Sequence, residues 1–195
     1  MKYKRMEEAI FLNRENRFIA MVEKNGEEIR VHVPNTGRCR ELFVPGANVL
    51  LEGADPAKKR KTPYSLVTVY KGENPINIDS QAPNQLAAEY FDGAPYLKGF
   101  GKIISYEREV KHGDSRFDFY LKGTEGEGFL EVKGVTLEED GLAKFPDAPT
   151  VRGAKHIREL GEMAEAGECC GVLFVVQMKG IWGFTSNEET DPDFT

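Results

Sequence analysis

The sequence predicts a mixed α/β protein in two parts. A small β-barrel or sandwich covers residues 1–82, and an α-β-β-β-α-β unit covers residues 83–195. The first eighty residues hold short alternating runs broken by frequent turns, as small all-β domains do. From Asn84 onward, helical and strand spacings follow each other in longer pieces. The charge shifts at the same place. Residues 1–82 carry 14 Lys and Arg against 11 Asp and Glu, whereas the remainder carries 12 against 21.

In the first part, RFIAMVEKNGEEIRVHV reads as a hairpin. Asn25-Gly26 suits a type I′ turn because both central positions need positive φ. Ile29, Val31 and Val33 alternate with Arg30 and His32, the period of a half-buried strand. ANVLLEG and SLVTVYKG are further strands, and GRCREL fits a short helix. INIDSQAPN reads as a junction, which places the boundary near residue 82.

In the second part, Asn84 fits the N-cap of a helix through QLAAEYF, its side-chain oxygen accepting an orphan backbone N–H. IISYEREVK, SRFDFYLKG and GFLEVKGVTL are three strand candidates. VRGAKHIRELGEMAEAG has helical spacing, with Val151, Ala154, Ile157, Leu160 and Ala164 in one stripe and Gly167 at its end. CGVLFVVQM is a continuous apolar run, as in a strand buried on both faces.

The 195 residues are enough to bury a real core, with 40% hydrophobic and 30% charged residues. No apolar run approaches the ~20 residues that span a bilayer, and MKYKRMEEAIFL lacks the apolar region and cleavage site of a secretory signal. Cys39, Cys169 and Cys170 match neither a disulfide framework nor zinc spacing. The expectation is a reduced, cytoplasmic protein without a membrane partner. The net charge of −6 disfavours a generic nucleic-acid binder, yet a basic front half suits a polyanion and an acidic back half suits a divalent cation. The glycine-rich pieces lack the spacing of phosphate-binding or dinucleotide loops.

The chemistry centres on SRFDFYLKGTEGEGFLEVKG. Phe117, Phe119 and Leu121 share one face of the first strand, and Asp118 lies on the other. On the next strand Leu130 and Val132 oppose Glu131 and Lys133. With the apolar sets against the helices, Asp118, Glu131 and Lys133 emerge together. A wet sheet face explains that pattern, and so does a metal site. Two converging carboxylates need a cation, and oxygen ligands suit Mg²⁺ or Mn²⁺. The Val132 carbonyl is a further ligand, and Lys133 can orient or deprotonate an attacking water.

The element order with Asp118 and Glu131-x-Lys133 resembles the PD-(D/E)XK nuclease superfamily, although Phe117, not Pro, precedes Asp118. More closely, the chain resembles the sugar fermentation stimulation protein A family. The matching stretches are NRFIAMV, VHVPNTGRCRELFVPGA, KRKT, Pro83-Asn84, SRFDF, EVKGVTL, FPDAPTVRGAKHIREL and VLFVVQ. The resemblance implies an OB-fold-like N-terminal barrel ahead of a PD-(D/E)XK restriction-endonuclease-like domain. It also implies DNA binding and a nuclease activity, whereas the family name records an effect on sugar use and specifies no reaction. Members of that family usually continue past the DPDF-like segment, and the expected core is complete before Gln177.

Related nuclease folds aim a carboxylate from the first helix at the metal, which makes Glu89 a third acidic candidate and Glu109 a weaker one. Around FPDAPTVRGAKH, the resemblance favours Arg152, Lys155 and His156 as phosphate grips beside the metal, with Asp147 in a Pro-bracketed turn. Barrels of this type bind single strands through a basic groove and stacking aromatics. Arg14, Arg17, Arg38 and Arg40, with Arg60 and Lys61 of the KKRK run, are the candidates there, beside Phe11, Phe18 and Tyr64. The expected partners are nucleic acid, DNA ahead of RNA, and a second copy in a homodimer. A non-catalytic DNA-binding regulator of sugar metabolism that keeps the nuclease fold is the competing expectation.

Overall fold

We describe residues 1–55, 57 and 60–194 of a computed structural model. Lys58 and Lys59 of the KKRK run lie outside the described residues. Six strands form the first part: β1 (Met6–Asn16), β2 (Ile19–Lys24), β3 (Glu27–His32), β4 (Asn48–Gly53), β5 (Tyr64–Lys71) and β6 (Asn74–Asn77). Their order is β3-β2-β1-β4-β5-β6, and β3 also meets β5 in parallel at His32 and Ser65, which closes a five-stranded barrel. The β2–β3 turn has Asn25 at φ 55° and Gly26 at φ 83°, the positive values that a type I′ turn requires. Phe11, Val22, Val31, Leu51 and Leu66 fill the barrel.

GRCREL forms a single turn and no helix. Leu42 and Phe43 N–H both reach the Cys39 carbonyl, and Cys39 itself has φ 40°, outside the helical region. β1 and β6 were not expected as strands. β1 alternates only after its two glutamates, and Pro75 interrupts β6.

The second part contains α1 (Ala82–Asp92), β7 (Tyr96–Leu97), β8 (Gly101–His112), β9 (Ser115–Gly123), β10 (Glu127–Val135), β11 (Leu137–Glu139), β12 (Leu142–Phe145), α2 (Val151–Glu165), β13 (Cys169–Val176) and β14 (Gly183–Ser186). The main sheet runs β13-β10-β9-β8-β7, and a small one runs β11-β12-β14. β13 pairs in parallel with β10, as a helical crossover between them permits.

Both faces of the main sheet are covered near its centre. On one, Ala87, Ala88 and Phe91 of α1 pack on Phe119, Leu121, Leu130 and Val132. On the other, Leu160 and Met163 of α2 pack on Phe117 and Phe129. Phe117 therefore does not share the face of Phe119 and Leu121 as the alternation predicted, because the regular pairing of β9 with β10 stops at Phe119. The charged residues of β10 therefore do not lie on a wet face. The buried stripe of α2 is Gly153, His156, Leu160 and Met163, with Ala154 beside it, and Val151 is 88% exposed. The helix is thus rotated from the expected apolar stripe, because a glycine and a histidine occupy positions that an apolar count omits. α1 begins at Ala82 with Gln81 at its N-cap, so Asn84 lies inside the first turn and is no cap. β13 is half-exposed along its length, not buried on both faces, because it is the edge strand and pairs only with β10.

The two parts meet directly. Asn77 N–H donates to the Gln177 carbonyl at 2.9 Å, and Gln177 Nε2 returns a bond to Asn77 Oδ1 at 2.9 Å. Gln177 Nε2 also donates to the Asp79 carbonyl at 3.2 Å, and Asn74 Nδ2 to the Lys179 carbonyl at 3.2 Å. Among the described residues no helix is long and apolar enough to cross a membrane.

Candidate metal centre

β9 and β10 pair in regular antiparallel register as far as Phe119 and Leu130. One step further the same register would oppose Asp118 and Glu131. The strands part there, and Asp118 fills the gap with its side chain. Its Oδ2 accepts the Val132 N–H at 2.7 Å, and its Oδ1 accepts Asn84 Nδ2 at 2.7 Å. Burial pushes the Asp118 carboxyl above the usual carboxylate range, and the neighbouring Glu131 charge adds to this. The Val132 N–H, Asn84 and Lys133 act in the opposite direction.

Glu131 points to the α2 side and is 5% exposed. Its Oε1 accepts Lys133 Nζ at 2.6 Å and lies 2.8 Å from His156 Nδ1. Its Oε2 is buried and has no hydrogen-bond partner among the described residues. A buried carboxylate oxygen left bare is costly, by about 1–3 kcal/mol or more for a charged group. A hard cation relieves that cost, so the donor set fits Mg²⁺ or Mn²⁺ in chemistry.

The carboxylates open into a cavity of about 470 Å³. Its walls include Val132 and Lys133, Thr150, Arg152 and Gly153 at the start of α2, and Asp147. The opposite wall is a loop of the barrel, Asn35 to Gly37. Arg14 holds that loop. Its Nη2 donates to the carbonyls of Asn35 (2.5 Å) and Arg17 (2.6 Å), its Nη1 to Gly37 (2.7 Å), and its guanidinium lies 4.6 Å from the Phe43 ring centre. At Gly37 a Cβ would come within 2.8 Å of Asn35 Oδ1 and 3.3 Å of Asp147 Oδ2, so a larger residue there would push on both side chains. Beside it Cys39 Sγ contacts Asp147 Oδ2 at 3.7 Å. Burial, with Asp147 second, pushes the Cys39 thiol up to about 12.

A second depression of about 490 Å³ adjoins the cavity and shares Thr36 and Gly37 with it. Arg14, Arg17, Arg38, Arg40 and Phe43 line it. The barrel side of the site is thus basic and the sheet side acidic.

Residues 12–78 match the SfsA N-terminal OB domain, and residues 81–195 match the sugar fermentation stimulation protein RE domain, a restriction-endonuclease-like unit. The chain belongs to the sugar fermentation stimulation protein family. A sugar fermentation stimulation protein homolog of Alkaliphilus oremlandii is 50% identical over all of this chain and 84% of its own length. One from Desulfitobacterium hafniense (strain Y51) is 49% identical over all of this chain and 83% of its own. The solved structure of Pyrococcus furiosus SfsA in complex with Ca²⁺ is similar with a TM-score of 0.86 at 30% identity, over 99% of this chain and 82% of that one.

Within this family member, the fold brings Asp118, Glu131, Val132, Lys133 and Arg152 to one cavity and leaves other expected residues elsewhere. Glu89 lies half-exposed on α1, paired with the Met1 amino group, and does not line the cavity. From α1, Asn84 bonds Asp118 and Pro83 lines the cavity beside it. His156 is buried at 4% exposure against Glu131, whereas Arg152, four residues earlier, is exposed. Lys155 is exposed and pairs with Glu159 at 3.4 Å. Arg17 stacks on the exposed Phe18 ring at 4.9 Å, and Arg38 is exposed beside it. Arg60 bonds Ser65 Oγ at 3.0 Å in a separate depression with Lys4 and Arg5, and Lys61 is exposed. Phe11 is core, and the Tyr64 hydroxyl donates to Glu7 at 3.1 Å. Glu109 is exposed on β8 with φ 55°. Among the described residues no group of three or more His, Cys, Asp and Glu is placed to hold a metal, so the centre rests on two carboxylates. Asn84's contact and the barrel loop as a wall are not legible in the sequence, because Pro83-Asn84 and VPNTGR meet their partners only through the tertiary fold.

Proposed function

We propose that this chain is a divalent-metal-dependent nuclease that hydrolyses phosphodiester bonds in DNA in the cytoplasm, with the barrel holding the backbone. Glu131 carries this reading. It is a buried carboxylate at a polar cavity, with a lysine on one oxygen and no partner on the other. The Ca²⁺ bound by the Pyrococcus furiosus relative supports a cation here. Asp118, Glu131 and the Val132 carbonyl would hold Mg²⁺ or Mn²⁺. When bound, such an ion polarises a phosphoryl oxygen and acidifies a water.

The chain's own residues do the rest. Lys133 Nζ, fixed on Glu131 Oε1, orients the attacking water and offsets charge as it grows on the phosphate. Arg152 grips a non-bridging oxygen from across the cavity. Arg17, Arg38 and Arg40 hold neighbouring phosphates in the adjoining depression. The barrel loop fixes the distance between the two sites.

The test is cleavage of single- and double-stranded DNA by purified protein with Mg²⁺ or Mn²⁺, beside Glu131→Ala. Metal-dependent cutting that the variant loses supports the reading. Equal cutting by both removes the site assignment. One observation favours a second reading, a DNA-binding regulator without catalysis. Among the described residues no third His, Cys, Asp or Glu joins Asp118 and Glu131 in a metal-holding group, and Lys133 already pairs with Glu131. It expects salt-sensitive DNA binding, no cutting, and no effect of Asp118→Ala on affinity.

A further inference from the structure

Each carboxylate of the centre receives a donor from a helix, and the two helices lie on opposite faces of the sheet. From α1, Asn84 Nδ2 reaches Asp118. From α2, His156 Nδ1 lies 2.8 Å from Glu131 Oε1. An ionised carboxylate only accepts, so Nδ1 carries the proton in that contact. The His156 ring is buried and walled by Phe117 at 5.4 Å between centroids. The start of α2 is itself pinned. Thr150 Oγ1 accepts the Gly153 N–H at 3.0 Å, and Thr150 N–H donates to Asp191 Oδ2 at 2.7 Å. The imidazole therefore cannot follow Glu131 if that side chain swings away. Lys133, the other donor on Oε1, sits on a long flexible stem and cannot fix a rotamer in the same way.

We propose that His156 is a positioning residue of the metal centre. It locks Glu131 Oε1 against α2 and leaves Oε2, the buried oxygen without a partner, as the one open to a divalent cation. This rests on reading Asp118 and Glu131 as cation ligands. Partners that orient ligating carboxylates typically change metal affinity about 10- to 100-fold when removed.

The test is calorimetric titration of the full chain with Mn²⁺ alone and Ca²⁺ alone, with thermal melts alongside. His156→Leu keeps bulk and removes the donor. His156→Asn places an N–H at the same bond count from Cα as Nδ1. The expected result is affinity about 10- to 100-fold weaker in His156→Leu, most of it recovered in His156→Asn. Wild-type affinity in His156→Leu would overturn the proposal. So would a folded His156→Asn as weak as His156→Leu. If His156→Leu does not fold, a folded His156→Asn decides alone: near-wild-type affinity supports the proposal, and a tenfold loss overturns it. Failure of the wild-type chain to bind either ion would sink the cation reading itself, together with this proposal.

Discussion

Arg14→Ala should destabilise the protein although Arg14 looks, by sequence, like a surface cation for phosphate. Its guanidinium is spent on carbonyls of residues 16 to 38, and two of those contacts, to Gly37 and Asn35, are part-buried. A hydrogen bond to a charged group contributes about 1.5–3 kcal/mol, and the low end for each of these two gives about 3 kcal/mol. The exposed contacts to Asn16, Arg17 and Arg38 are left out of that figure, since water replaces them. For a chain of this size each kcal/mol moves the midpoint by about 2–4 °C, so the melt should fall by about 6–12 °C. Arg14→Lys should recover less than half, because an ammonium lacks the planar fork that meets several carbonyls together. The assay is differential scanning calorimetry, with limited proteolysis of the 34–38 loop. Divalent binding should survive, because both carboxylates stand on the other domain. An Arg14→Ala melt within about 1 °C of wild type would refute the clamp and leave Arg14 as a ligand-facing cation.

Cys39 should resist a thiol reagent at pH 8 in the folded protein, while the half-buried Cys169 and Cys170 react. Its thiol is pushed up to about 12 from 9.0 by burial, and labelling before and after denaturation reads the difference. A thiol held above its unfolded value contributes stability that is full below about pH 9 and is lost as pH rises toward 12, so alkaline melts should fall across that window. Asn84→Ala removes a bond that lowers the Asp118 carboxyl, so that group should rise further. Divalent binding requires it ionised, and the pH midpoint of Mn²⁺ binding should move upward relative to wild type. An unmoved midpoint would deny Asp118 a place among the ligands.

Much of the fold was legible because its signals are local. The Asn25-Gly26 turn and the alternation of Val31 and Val33 depend on neighbours a few residues away. Asp118, Glu131 and Lys133 could be grouped for the same reason, since a short loop joins two strands of period two. What failed were expectations that needed a distant partner. Asn84 read as a cap because its real acceptor is 34 residues on. Glu89 read as a ligand, but the rotation of α1 on Phe91 and Phe119 turns it outward to Met1. His156 read as a surface grip because the periodicity of α2, counted on apolar residues alone, faced it the wrong way.

By itself, then, the sequence determined the two helices, the main strands and the charged triplet on β9 and β10, which follow from short-range pattern, and its resemblance gave the family, whereas β1, β6, β7, β11, β12 and β14 carried no clear local signal. Only the tertiary structure decided that Glu131 is buried with one bare oxygen, and that a barrel loop walls the site. It also decided that helices on both faces of the sheet grip the carboxylates. Burial and desolvation are set by what packs from far along the chain, as with Cys39 and Asp147, 108 residues apart. Those contacts make a charged strand face into a centre that calls for a cation.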